Sequence, residues 1–281
     1  MVYDTDMREA PLTDIDVAVA LTQKGADTPG PIIVPTTVSR ITGIYIGLGA
    51  LVQDVYIGTT SAIHLKGGGI VIGEGYFPGP MLNAASAAAT CGGYAQASPM
   101  KYKTNIPVKA GGSIEVEGFI HGEDPVAAHL IVMIEYDGVP GLIKDCDYRE
   151  ETVGAAANTF TRLGVRGAAV AEPDMKPPST IGEVIFGAIM DPNGDATASF
   201  TSAPHMHLTG PGLLINGNYD FIGACGFEQP DNDIAGNQAQ IINPERYICN
   251  IQIKKGSDIR VSAQNIQSIL STHAICGLAY I

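Results

Sequence analysis

Apolar and polar residues alternate along much of this chain with a period of two. "SIEVEG" sets Ile114 and Val116 on one side, "DIRVSA" does the same with Ile259 and Val261, and "DIDVAVAL" repeats the pattern between Asp14 and Leu21. That is the period of a strand with one buried face; a helix would bring apolar residues round every three to four positions. Turn formers break the alternation at short intervals, in "PGP", "GGG", "AGG", "HGEDP", "DPNGD", "GPG" and "NGN". Many short strands between such turns predict an all-β sandwich or barrel. Helix is confined to "NAASAAATC" (Asn83 to Cys91) and "NIQSILSTH" (Asn265 to His273), each long enough for one or two turns.

The pattern occurs twice. "HLKGGGIVIGEGY" from His64 returns as "HLTGPGLLINGNY" from His207, 143 positions later, with six of thirteen residues identical. "NIPVKAGGSIEV" from Asn105 meets "NIQIKKGSDIRV" from Asn250, and "HLIVMIEY" from His129 meets "HAICGLAY" from His273. "PTTVSRI" from Pro35 aligns with "PSTIGEV" from Pro178 at the same offset of 143. Matches that keep their order and spacing point to duplication. The expected organisation is two tandem β-sandwich domains, jelly-roll-like or another eight- to nine-stranded sandwich. Residues 1–148 form the first repeat with an N-terminal arm, 149–157 a linker within the polar-then-small "DCDYREETVGAAAN", and 158–281 the second repeat. Loops 78–103 and 222–248 have diverged while the strands kept step, so they are expected to meet different neighbours.

Composition narrows the function. The chain has 281 residues, 29 Asp+Glu against 16 Lys+Arg, and a net charge of −13. That charge repels a phosphate backbone and an anionic membrane, so direct nucleic-acid binding is not expected. No apolar run reaches the ~18 residues of a spanning helix. "MVYDTDMREA" lacks the basic-then-apolar order of a signal peptide, so no secretion signal is expected and the cytoplasm is the expected compartment. Charged residues make up only 16% of the chain, against ~25% in ordinary soluble domains. A surface so poor in charge suits contact with neighbouring subunits. The five cysteines are odd in number, form no C-x-x-C and do not match between repeats, so they read as packed thiols.

The histidines are the main candidates for chemistry. His64 matches His207, His129 matches His273, and "HMH" sets His205 and His207 on one strand face. A cupin-like metal site would need a glutamate soon after and a third histidine; "HLTGPGLLIN" offers no Glu, though His129 or His273 could supply the third imidazole. The alternative is that each histidine hydrogen-bonds a turn or strand end, by common descent. "DPNGD" (Asp191 to Asp195) spaces oxygens like a calcium loop but sets Gly fourth and Ser202 twelfth, which favours a hairpin turn. "QPDNDIAGN" reads as an acidic loop, and "KGGG" (Lys66 to Gly69) as a hairpin turn, since neither the spacing nor the helix of a phosphate loop follows. Glu115 and Glu117 share one strand face and read as its solvated side. No G-x-S-x-G, H-E-x-x-H or catalytic-cysteine signature occurs. No catalytic residue and no cofactor are assigned; calcium or a transition metal remain the candidate ions.

Two duplicated sandwiches, sparse charge, divergent loops and missing catalytic motifs together suit a structural, self-assembling protein that is not an enzyme. In architecture the chain resembles the double jelly-roll major capsid proteins of tailless icosahedral viruses. That resemblance implies two eight-stranded rolls, trimers of pseudo-hexagonal outline, and partners that are copies of the chain or other shell proteins. A surface or decoration binding module and a bicupin-type metal-dependent enzyme are the alternatives.

Overall fold

A computed structural model describes residues 4–12, 17–23, 30–52, 57–85, 93–96, 98–122, 127–154, 159–165, 174–190, 204–214, 218–225, 238–265 and 272–281. Among them every regular element is a strand, and the strands build four sheets in sandwich-like layers. The first sheet runs Met100–Pro107, Arg40–Val52, Ala127–Tyr136, Asp4–Leu12, Thr22–Gln23, with Gly93–Gln96 also on Arg40–Val52. The second runs Gln238–Ile242, Met81–Ala85, Ile57–Lys66, Ser113–Gly122, Val19–Ala20, with Tyr76–Pro78 on Ile57–Lys66 and Ile32–Ile33 on Ser113–Gly122. The third runs Asp145–Val153, Thr272–Tyr280, Ile181–Met190, which also pairs Glu245–Ile251 and Ala224–Cys225. The fourth runs Thr161–Arg162, Arg260–Asn265, Pro204–Thr209, Asn218–Ile222.

The ladders keep the same order in both halves. Met100–Pro107, Arg40–Val52, Ala127–Tyr136 and Asp4–Leu12 follow one another as do Glu245–Ile251, Ile181–Met190, Thr272–Tyr280 and Asp145–Val153. Register agrees too: Val116 faces Leu65 as Val261 faces Leu208, and the Leu21 and Leu163 N–H groups donate to the Val116 and Val261 carbonyls. The expected hairpin turns at "KGGG" and "TGPG" are present. Gly67 and Gly210 have φ of +121° and +132°, and a Cβ on either would lie 2.5 Å from a backbone carbonyl oxygen, so only glycine fits.

Alternation explains the two main cores. Ile44, Ile46, Leu65, Val116, Val132 and Ile134 fill the first. Val184, Phe186, Leu208, Val261, Cys276 and Leu278 fill the second. Full burial of such a side chain contributes about 1.5–3 kcal/mol. A third cluster joins the halves: Ala62, Met81 and Phe119 meet Tyr148, Ile189 and Ile275, with the Phe119 and Tyr148 rings edge-on at 5.5 Å. The third sheet is therefore covered on both faces, and the buried run of Thr272–Tyr280 is almost continuously apolar. Ala127–Tyr136, open on one side, still alternates at Leu130, Ile131 and Val132. The Asp145 carboxylate adds a polar tie across the junction, accepting the N–H groups of Gly73, Glu74 and Gly75 at 2.8, 3.2 and 3.0 Å.

Several sequence expectations change. The N-terminal arm is a full strand: Asp4–Leu12 pairs with Ala127–Tyr136 along its whole length. Its pattern escapes a hydrophobicity reading because Arg8, paired with Asp6, occupies a buried inward position. Residues 149–153, expected as linker, belong to Asp145–Val153, where Arg149 and Glu150 are buried. The offset of 143 at "PTTVSRI" is 140 in the ladders: Ile41 and Ile181 both oppose the closing tyrosine, Tyr136 or Tyr280, beside a register shift. Among the described residues of "DIDVAVAL", 17–21, only Val19–Ala20 is strand. Asn83 to Ala85 and Thr272 to His273, expected as helix, are strand; 86–91 and 266–271 lie outside the described residues. The two divergent loops meet each other, since Met81–Ala85 pairs with Gln238–Ile242.

Candidate functional site

The candidate histidines fall into separate neighbourhoods. His64, on Ile57–Lys66, stacks on Tyr76 at 4.0 Å, and its Nδ1 lies 3.2 Å from Glu117 Oε2. Lys66 Nζ donates to the other oxygen of Glu117 at 2.6 Å and lies 3.4 Å from Glu115. Burial would raise the Glu117 carboxyl, but Lys66 and His64 outweigh it and hold the group below its ordinary value. Glu115 remains more than half exposed, as a solvated strand face requires. His64 is thus a partnered surface histidine.

His205 and His207 do share a strand face, as the H-x-H spacing requires. Their carboxylate comes from the neighbouring strand Asn218–Ile222, where Asp220 opposes His207. Asp220 Oδ1 lies 3.0 Å from His205 Nε2 and 2.5 Å from His207 Nδ1. Gln264 Nε2 donates to His205 Nδ1 at 2.9 Å, which leaves the proton on Nε2, facing Asp220. The His207 hydrogen bond first, and then that of His205, hold the Asp220 carboxyl below its ordinary value. Phe160 closes one side, with ring centroids 5.5 and 5.1 Å from the two imidazoles. Two imidazoles and a carboxylate in this arrangement can hold a cation, and Asp220 Oδ1 already bonds both rings.

His129 and His273 do not complete that group. They occupy the first and third sheets, each beside a glutamate of the adjacent strand. His129 Nε2 lies 3.4 Å from Glu9 Oε2, on a half-exposed face. His273 Nε2 lies 3.8 Å from Glu150 Oε2, with both side chains buried. There a residue overlooked in the sequence, His121 of Ser113–Gly122, crosses the junction and stacks on the His273 ring at 3.7 Å. Among the described residues, His121/Glu150/His273 and His205/His207/Asp220 are the groups whose nitrogen and carboxylate atoms all lie within 4.8 Å of one another.

Glu9 and Glu150 carried a readable signal. "DTDMRE" (Asp4 to Glu9) and "DCDYRE" (Asp145 to Glu150) share Asp, Asp, Arg and Glu at an offset of 141. Asp220 and His121 had no such signal, because strand pairing alone brings them in. Of the cysteines, burial raises the Cys146, Cys249 and Cys276 thiols, that of Cys249 to about 11, so these three are packed, protonated thiols. "DPNGD" and "QPDNDIAGN" lie outside the described residues. The chain matches no known protein family model and shows no significant similarity to any curated protein.

Proposed function

We propose that the chain is a structural, self-assembling subunit, a capsid or shell building block of two duplicated jelly-roll halves, working through broad faces. The observation that carries this reading is the unequal cover of matching faces. On the third sheet Tyr148 and Ile275 are 2% and 0% exposed beneath the first half. At the matching ladder positions of the first sheet, Met7 and Ile131 are 40% and 38% exposed. A second copy of the chain, presenting its second half, is the partner that such a face suits. Contacts of this head-to-tail kind close into rings when the rotation allows.

Strand order supports the jelly-roll assignment. Numbered along each half, the main strands run first, eighth, third, sixth in one sheet and second, seventh, fourth, fifth in the other. That is the order of two interleaved Greek keys. The apolar turn tips Val71 and Leu214, 84% and 58% exposed, also match between halves and add to the surface available for contacts.

Light scattering on the native protein tests the proposal. The expected mass is three times the 29.3 kDa chain mass or more. Met7→Glu with Ile131→Glu is expected to reduce it to a folded monomer. A wild-type monomer at every concentration overturns the reading. A bicupin-type enzyme is the second reading, favoured by His205, His207 and Asp220; a monomer whose bound metal is lost in His207→Ala would supply the metal site that this reading needs.

A further inference from the structure

The halves share a glutamate–histidine pair, yet only one of the two pairs is enclosed. Glu150 comes from Asp145–Val153, His273 from Thr272–Tyr280, and His121 reaches them from the first half. Glu150 and His273 expose 2% and 4% of their side chains, and His121 21%. The carboxylate sits between two nitrogens: Oε1 lies 3.5 Å from His121 Nδ1 and Oε2 lies 3.8 Å from His273 Nε2. Both separations exceed the ~2.7–2.9 Å of a charge-assisted hydrogen bond. Buried Glu150 Oε1 has no hydrogen-bond partner, which in a protein interior calls for an explanation.

Ligands held about 2.0–2.1 Å from a tetrahedral zinc ion lie about 3.4 Å apart, close to the two nitrogen–oxygen separations here, and the stacked imidazoles would turn apart to bring the ion into the plane of each ring. The surroundings match a metal's outer shell. The Tyr148 hydroxyl donates to Glu150 Oε2 at 2.5 Å and fixes the carboxylate, while Thr152 Oγ1 lies 3.4 Å from His273 Nδ1, the ring nitrogen turned away. We infer that His121, Glu150 and His273 form a binding site for a divalent transition-metal ion of the zinc type, which ties the two halves together. Two imidazoles and one carboxylate suit such an ion better than calcium or magnesium, which favour all-oxygen shells. Among the described residues the group offers three ligands, and water would complete a four-coordinate shell. At the sequence position matching His121 the second half carries Ile266, following Asn265 as His121 follows Ile120.

The test uses the full chain, free of any histidine tag, stripped with chelator and titrated with zinc chloride at pH 7.5. Calorimetry is expected to show a site that His121→Ala and Glu150→Gln both abolish and His207→Ala leaves intact. At a hundredfold excess over Kd, zinc is expected to raise the melting midpoint by about 5 °C in wild type and His207→Ala only. Glu150→Gln keeps the shape of the side chain and His121 is partly exposed, so at least one variant folds. A wild-type chain that binds no zinc overturns the site. So does zinc binding that persists in both variants, or that only His207→Ala removes.

Discussion

Glu9–His129 and Glu150–His273 are built from the same residue types at the same ladder positions, but they live in different surroundings. The first faces solvent and is a surface contact of small energetic weight. The second lies under the other half, where its side chains are almost wholly buried and a third side chain reaches it. Met7 and Tyr148 make the same contrast, as do Ile131 and Ile275. The comparison teaches that cover, more than residue type, sets what a position in this fold can do. A pair on an open sheet face becomes a buried one once another sheet lies on it.

The sharpest test of the equivalence is to break both cores alike. Ile114→Asp and Ile259→Asp each bury an unpaired charge at a position that is 0% exposed. Each is expected to lose at least about 4 kcal/mol and to leave no soluble folded chain, read by yield and circular dichroism. Retention of the fold in either would mean that the halves are not built alike. Next comes the covered face. Tyr148→Ala should cost about 3 kcal/mol in denaturant melts, and Met7→Ala, at its uncovered counterpart, less than about 0.5 kcal/mol in the monomer.

The third contrast is one of pH. Burial pushes the Asp147 carboxyl up to about 7, despite the Arg149 guanidinium that pulls it down. Its folded value lies above its unfolded one, so the protonated form favours folding. That contribution is complete below about pH 4 and lost as pH rises through 7. Between pH 5 and 8 the melting stability should fall by roughly 3 kcal/mol from this group, and Asp147→Asn should flatten the slope. Asp6, the half-buried counterpart, is raised in the same direction, again by burial, and Asp6→Asn should change the slope less. Smallest is the polar tie: Asp145→Ala, which orphans three N–H groups of the first half, should cost about 2 kcal/mol, and Asp4→Ala close to nothing.

Period and turn chemistry were legible because they act locally. Ile114 and Val116, or Gly67 and Gly210, announce a strand face and a turn without reference to the rest of the chain. The strand Asp4–Leu12 was hidden because its inward residue is Arg8, whose charge is answered by Asp6 rather than by apolar neighbours. Asp145–Val153 looked like a linker for a similar reason: Asp145, Asp147, Arg149 and Glu150 are buried only because the first half and their own partners cover them. The H-x-H face was legible from spacing, but Asp220 was not, since a residue on the next strand is placed by register. His121 lay further out of reach, because its partners belong to the other half.

In each half the first long strand finds its neighbour in the last: Asp4–Leu12 with Ala127–Tyr136, and Asp145–Val153 with Thr272–Tyr280. During synthesis, therefore, each half waits with an unpartnered edge for more than a hundred residues before the strand that closes it emerges. Closure over such a separation is slow, and an open edge invites pairing with another chain. Asp4–Leu12, rich in charge and carrying a proline, is poorly suited to misplaced partners while it waits.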